Sequence, residues 1–409
     1  MTRIRAAALA LFLLCSLAAN ARAAEPSVVV LLSWDGTRWD YPARAATVAL
    51  ARMARDGAHA RRLTPVFPSS TFPNHVSLAT GTYPDRHGII ENSFTDRQGR
   101  RFSYGNDASF IEAEPLWAAA ERQGVRAAVF FWAGSETDWH GRGATYRRAP
   151  FDGSVPEARK VDQILAWLDL PAAQRPRLIM SWWHGCDGVG HELGPDAPEI
   201  AAQLLAQDRE LARLFAGLDA RGAWAHTAVI VASDHGMSRM DGAIDAEAVL
   251  SAAGIAARLD GSGGEGQLYL KDPAQTAAAL RTLSGIEGLT AYTPESLPAR
   301  MRSFYPSRSG DLTLVPNPPW AVGRESLWQR LEIWWRGKSP GVHGYDPSQP
   351  DMGAIFYALG AGVPAGAELG EVRAIDVAPT VAALLGIDPP AQSEGRALFQ
   401  APQAPPGAQ

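Results

Sequence analysis

Short apolar runs alternate with longer amphipathic ones along this chain. VVVLLSW (28–34), VRAAVFFW (125–132), HTAVIVAS (226–233) and GAIFYALG (353–360) are apolar runs bounded by turn-forming residues, the pattern of buried strands. Between them, ATVALARMARDG (46–57), EPLWAAAERQG (114–124), a segment from about Ala197 to Leu218, and IDVAPTVAALLG (375–386) read as helices. Gly57 closes the first helix, and Pro115 and Gly124 bracket the second. Strands that alternate with helices predict an α/β domain with a mostly parallel sheet covered on both faces.

The stretch from about Arg239 to Lys338 departs from this rhythm. It is rich in Gly, Ser and Pro, as in GSGGEG (261–266) and VPNPPW (315–320), and predicts a small inserted cap (239–338) packed beside the sheet. The catalytic domain is expected over residues 24–400. The Pro/Ala/Gly-rich tail APQAPPGAQ (401–409) is expected to be unstructured.

The first residues belong to neither part. Arg3 and Arg5 precede the apolar run AAALALFLLCSLAA (6–19), and Ala21-Arg22-Ala23 forms a small-residue cleavage pattern. This predicts a signal peptide over 1–23 and a secreted protein, in the periplasm or outside the cell. No other apolar stretch approaches the ~20 residues of a membrane-crossing helix. Cleavage after Ala23 leaves 35 basic and 43 acidic residues, a net charge of −8, which argues against a duplex-nucleic-acid partner. Only Cys186 remains, so stability must come from core size and bound metal rather than a disulfide.

Chemistry-bearing residues cluster where the strand-like runs end, the place where loops of an α/β sheet gather into a site. Asp35 ends VVVLLSWD, Asp234-His235 follow VIVAS, and Asp187 and His191 follow IMSWWHGC; His343 sits in a later Gly turn. Asp187 and His191 share a face if their segment is helical, or converge across Gly188-Val189-Gly190 if it is extended. Carboxylates and imidazoles suit zinc, with manganese or iron also compatible. Three Asp carry −3 and two divalent ions +4, leaving +1 to stabilise a deprotonated hydroxyl nucleophile.

The run FPSSTFPNHVSLATGTYPDRHGIIEN (67–92) closely resembles the nucleophile region of the nucleotide pyrophosphatase/phosphodiesterase family, within the alkaline phosphatase superfamily. Further matches follow in order: D-G at 35–36, F-W-x-G-S-E at 131–136, D-x-x-G-H-x-x-G-P at 187–195, D-H-G-M at 234–237 and H-G-Y-D at 343–346. The resemblance covers roughly 28–390. It implies an alkaline phosphatase-like fold and two Zn2+ per chain. Asp35, Thr71, Asp234 and His235 would hold one ion, and Asp187, His191 and His343 the other. It makes Thr71 the nucleophile of a two-step hydrolysis of phosphodiester or pyrophosphate bonds through a phospho-threonine intermediate. Asn92 and the Thr71 backbone amide would donate to a phosphate oxygen. His75 and His87 are expected to be structural.

Substrate choice is the less constrained part. Phe72, directly after the nucleophile, and Trp183, four residues before Asp187, are expected to sandwich a nucleobase, so the substrate is read as a nucleotide. An apolar pocket for a phospholipid headgroup is the functional alternative. A phosphonoacetate hydrolase also uses Thr and two metals, whereas a sulfatase would need C/S-x-P-x-R where this chain has Thr71-Phe72-Pro73-Asn74. From another class, a metal-stabilised binding protein would have lost a site residue, and none is lost. Trp182-Trp183-His184-Gly185-Cys186 departs from animal members of the family, which carry an aromatic and then acidic residues there.

Overall fold

The computed structural model describes residues 27–105, 107–324 and 339–399. The proposed signal peptide, the 401–409 tail and the last part of the expected insertion lie outside them. An eight-stranded sheet forms the centre: β1 Val28–Trp34, β2 Ala58–His59, β3 Ala127–Phe130, β4 Tyr146–Arg148, β5 Leu178–Trp183, β6 Thr227–Ala232, β7 Phe356–Gly360 and β8 Ala367–Glu368. Its order is β8–β2–β7–β6–β1–β5–β3–β4. β4, β3, β5, β1 and β6 are parallel, whereas β7 runs antiparallel to both its neighbours, β6 and β2. Every residue of β1, β5 and β6 is buried, which explains why these strands read as unbroken apolar runs rather than alternating ones.

Helices cover the sheet in two groups. α1 (Ala49–Asp56), α4 (Glu157–Leu168) and α6 (Glu199–Ala220) pack together, with α1 against β7 and α4 against β5. α2 (Thr71–Thr80), α3 (Leu116–Arg122) and α7 (Val377–Leu385) form the second, with α7 on β1. A short α5 (Asp187–Leu193) follows β5. Asp208 of α6 ties two helices of the first group together: its buried carboxylate accepts from the N–H groups of Val48, Ala49 and Leu50 at 2.6–3.1 Å, capping the start of α1.

The region expected as an insertion holds a second, four-stranded antiparallel sheet of Ala257–Asp260, Gly266–Leu270, Leu312–Pro316 and Leu289–Tyr292, in that order. It has a small core of its own around Leu250, Leu268, Leu283, Leu312 and Leu314.

Candidate active site

The site lies beyond the carboxyl ends of β1, β6 and β5. Asp35 leaves β1, Asp234 and His235 follow β6, and Asp187 opens α5, so three adjacent parallel strands deliver their ligands to one rim. Two loops are drawn unusually close. The Asp35 carbonyl accepts from the N–H groups of Cys186 (2.8 Å) and Asp187 (3.2 Å). That approach needs glycines: a Cβ on Gly185 (φ +57°) would stand 1.9 Å from the Asp35 oxygen, and one on Gly36 (φ +60°) 2.7 Å from Asp187 Cα.

Ligand-type atoms gather in two groups, Asp35/Asp234/His235 and Asp187/His191/His343, each with its atoms within 4.8 Å of one another. α5 turns helically, so Asp187 and His191 share a face, with His191 Nε2 3.3 Å from Asp187 Oδ1. His343 Nε2 lies 3.8 Å from the same oxygen, and the His235 and His343 rings stack at 3.7 Å, linking the groups.

The orientation of each imidazole is fixed from behind. Nδ1 of His235 meets Gly236 O at 2.8 Å, Nδ1 of His191 meets Gly341 O at 2.9 Å, and Nδ1 of His343 meets Ser69 O at 3.0 Å. A carbonyl accepts only, so each Nδ1 carries the proton and each Nε2 turns a lone pair to the centre. There the Nε2 atoms meet Asp35 Oδ1, Asp187 Oδ1 and Asp234 Oδ2, buried oxygens that have no hydrogen-bond partner. Lone pairs facing carboxylate oxygens at 3.3–3.5 Å, as His235 faces Asp234 and Asp35, repel unless a cation lies between them. The residues present therefore fit a pair of metal ions.

The other oxygens of Asp35 and Asp234 are satisfied. Trp182 Nε1 donates to Asp35 Oδ2 at 2.8 Å, and the N–H groups of Gly36 and His235 donate to Asp234 Oδ1 at 3.1 and 3.0 Å. Burial, then the charges of Asp234 and Asp187, push the Asp35 carboxyl well above its usual range. Burial would also raise Asp187, and positive charge on its His191 and His343 side is what draws its carboxyl below the usual range. Burial, then the neighbouring His235 and His191, push His343 well below an ordinary imidazole.

Thr71 opens α2, and its Oγ1 lies 3.2 Å from His235 Nε2. Thr71-Phe72-Pro73-Asn74-His75 forms the start of this helix. Pro73 is no obstacle, because first-turn N–H groups lack helical acceptors anyway. Asn74 secures the approach, its Oδ1 accepting from Val66 N–H at 2.7 Å and its Nδ2 donating to Pro68 and Ser70 carbonyls. Asn92 Oδ1 accepts from Phe72 N–H at 2.8 Å, which leaves the amide's Nδ2 as its donor end. His75 backs the helix start, with Nδ1 to Thr71 O (2.9 Å) and Nε2 to Ser33 Oγ (2.9 Å). His87 bonds Ser77 Oγ, and burial drives its pKa down to about 3, keeping it neutral. Both are buried, and His75 Nδ1 also lies 3.2 Å from Asp234 Oδ2, so it touches a candidate ligand.

One assignment is corrected. Trp183 does not reach the cleft: it is fully buried, stacked on Trp34 at 6.0 Å, with Nε1 on Ser181 Oγ. Successive strand residues point to opposite faces, and in β5 it is Trp182 that turns to the site. The Trp182 ring touches Phe72 (6.0 Å) and Phe151 (4.9 Å, 32° between planes) while its Nε1 holds Asp35. Phe72 is itself nearly buried, with Tyr104 against its edge at 5.6 Å. Tyr104 (62% exposed) and Phe151 (40%) are two of the few exposed large apolar side chains among the described residues. Trp182, Phe151 and Tyr104 carry no signal in the sequence that places them at the site.

A mostly parallel α/β sheet whose strand ends bring a hydroxyl beside carboxylate-imidazole groups that could hold metal ions has the layout of a phosphoryl-transfer hydrolase. The family model for type I phosphodiesterase / nucleotide pyrophosphatase matches residues 29–346, and the chain belongs to that family. It is 34% identical over 353 residues to an uncharacterized pyrophosphatase/phosphodiesterase of Schizosaccharomyces pombe, covering 82% of this chain and 71% of that one. It is 30% identical over 380 residues to a venom phosphodiesterase of Crotalus durissus collilineatus, covering 89% of this chain but 45% of the relative, so it spans less than half of the venom protein. Among solved structures, murine ectonucleotide pyrophosphatase/phosphodiesterase 5 superimposes with a TM-score of 0.80 at 26% identity, over 88% of this chain and 95% of that one. An inactive variant of the murine protein in complex with AMP matches at the same TM-score and identity, over 89% and 96%.

Proposed function

We propose that this protein is a secreted two-zinc hydrolase that cleaves phosphodiester or pyrophosphate bonds of nucleotides, with Thr71 as nucleophile. The observation that carries the reading is the Thr71 hydroxyl, 3.2 Å from His235 Nε2, at the head of a buried helix beside two orphaned carboxylate-imidazole groups. Asp35, Asp234 and His235 with Thr71 would hold one ion, and Asp187, His191 and His343 the other. The two cations would supply charge that lowers the pKa of the attacking hydroxyl and neutralises the phosphate. Thr71 Oγ1 attacks phosphorus in line and the leaving oxygen departs on the far side; water then opens the phospho-threonine. The Asn92 amide, held by Phe72 N–H, donates to a phosphate oxygen. The partition into a 1–23 signal peptide and a single 24–400 catalytic unit with a 239–338 cap is part of the same proposal. The leader pattern supports secretion to the periplasm or beyond, and no helix of the described residues is long and apolar enough to cross a membrane.

The nucleobase is placed against Trp182, Phe151 and Phe72, on the Asp35 side of the centre. AMP in the murine neighbour supports a nucleotide over the phospholipid headgroup or the phosphonoacetate alternatives. A stacked base is worth about 1–3 kcal/mol. Phe151→Ala should therefore raise KM for thymidine 5′-monophosphate p-nitrophenyl ester about 5- to 100-fold, with bis(p-nitrophenyl) phosphate little affected. Wild-type kcat/KM for the nucleotide ester should exceed that for lysophosphatidylcholine. Equal or faster cleavage of the lipid would replace the nucleotide reading with the headgroup one.

A further inference from the structure

We propose that the cavity on the His191/His343 side of the centre is a chamber for the leaving group, and that Arg101 binds a phosphate carried by it. The preferred substrates are then phosphoanhydrides with an anionic leaving group, such as nucleoside triphosphates. The inference rests on the nucleotide reading above and specifies what lies on the far side of the scissile bond.

Geometry chooses the side. Thr71 sits against His235, so an in-line displacement expels its leaving group away from that residue, toward the other triad. A cavity of about 580 Å3 opens there, lined by both imidazoles of that triad, by Asn92 and by Arg101. Its floor is a hairpin that directly follows Asn92, in which Ser93–Thr95 pairs antiparallel with Arg101–Ser103. The pleat sorts this hairpin into two faces. Phe94 and Phe102 are buried, packed on each other and, through Phe102, on Phe72. Ser93, Ser103 and Arg101 take the opposite face and line the cavity. The opposite wall comes from the second sheet's Asp260–Ser262 segment, and Gly264 N–H bonds the His343 carbonyl at 2.8 Å, joining that wall to a ligand.

Charge then singles out Arg101. Among the described residues it is the one Arg or Lys lining the cavity, it is exposed, and it makes no ion pair or side-chain hydrogen bond. The two acids of the lining are both engaged. Asp260 pairs with Arg258 and accepts from Thr95 N–H at 2.7 Å. Glu91 accepts from Asn92 N–H at 2.6 Å, and its burial pushes its carboxyl pKa up beside Glu265, whose own is pushed up further by burial and by Glu91. Among the described residues, the free positive charge facing the cavity is this guanidinium, a planar fork suited to phosphate oxygens. A leaving group without phosphate has nothing for it to bind.

The test compares two substrates that share the nucleotide half and differ in the leaving group. ATP and thymidine 5′-monophosphate p-nitrophenyl ester would be assayed with wild type, Arg101→Gln and Arg101→Lys in zinc-loaded protein. Arg101→Gln is expected to lose about 10- to 100-fold in kcat/KM for ATP, with the ester changing less than about 2-fold and Arg101→Lys recovering part of the loss. An equal loss on both substrates, or none on ATP, overturns the role of Arg101 and leaves the nucleotide reading standing. Failure of the wild type to turn over either substrate removes both.

Discussion

Thr71→Ala is expected to lower kcat by at least about 10^3-fold while the protein stays folded and keeps its metal, because the variant removes one oxygen and leaves six Asp and His ligands in place. The loss follows from the order of events: with no Oγ1 at the head of α2 there is nothing within reach of phosphorus to form the first bond. Thr71→Ser restores the hydroxyl and should recover partial activity. Elemental analysis and circular dichroism on the same samples separate lost chemistry from lost structure. An alanine variant that kept more than about a tenth of the wild-type kcat would show that Thr71 is not the nucleophile.

The second large effect concerns the buried charges, and its sign reverses with metal. Asp35, Asp187 and Asp234 converge with their inner oxygens unpartnered, so the metal-free centre holds like charges against burial. Asp35→Asn keeps an acceptor for Trp182 Nε1 and deletes one of those charges. In chelator-stripped protein the variant is expected to melt higher than wild type. In zinc-loaded protein it is expected to melt lower, by on the order of 5 °C, because a weaker site forfeits the stabilisation that ligand binding gives the folded state, about 2.7 kcal/mol at a hundredfold excess over Kd. Activity should fall with the metal content. A variant that shifts Tm in the same direction in both states would mean that the cluster is not built around a cation.

The parts of this molecule legible in its sequence are those in which local pattern and chemistry coincide. β1 and β6 are buried on both faces, so their apolar runs announce them, and the polar residues that end them, Asp35 and Asp234-His235, stand out against that background. Asp187 and His191 read as a pair because four residues make one helical turn. What the sequence hid is long-range or ambiguous in period. The pairing of Gly266–Leu270 with Leu312–Pro316 joins segments over forty residues apart, so a Gly/Ser/Pro-rich stretch concealed a sheet with its own core. Trp182 and Trp183 are adjacent indoles in a strand buried on both faces, and composition does not tell which one turns toward Asp35; only the register against β1 does.

The central claim is that hydrolysis proceeds through a bond between Thr71 and phosphorus, and the configuration at phosphorus reports on it directly. A nucleoside phosphorothioate diester, chiral at phosphorus, would be hydrolysed in 18O-labelled water and the stereochemistry of the product determined. Two successive in-line displacements, first by Thr71 and then by water, predict net retention. Net inversion would mean that water attacks the substrate in one step and that the threonine at the head of α2 is never phosphorylated.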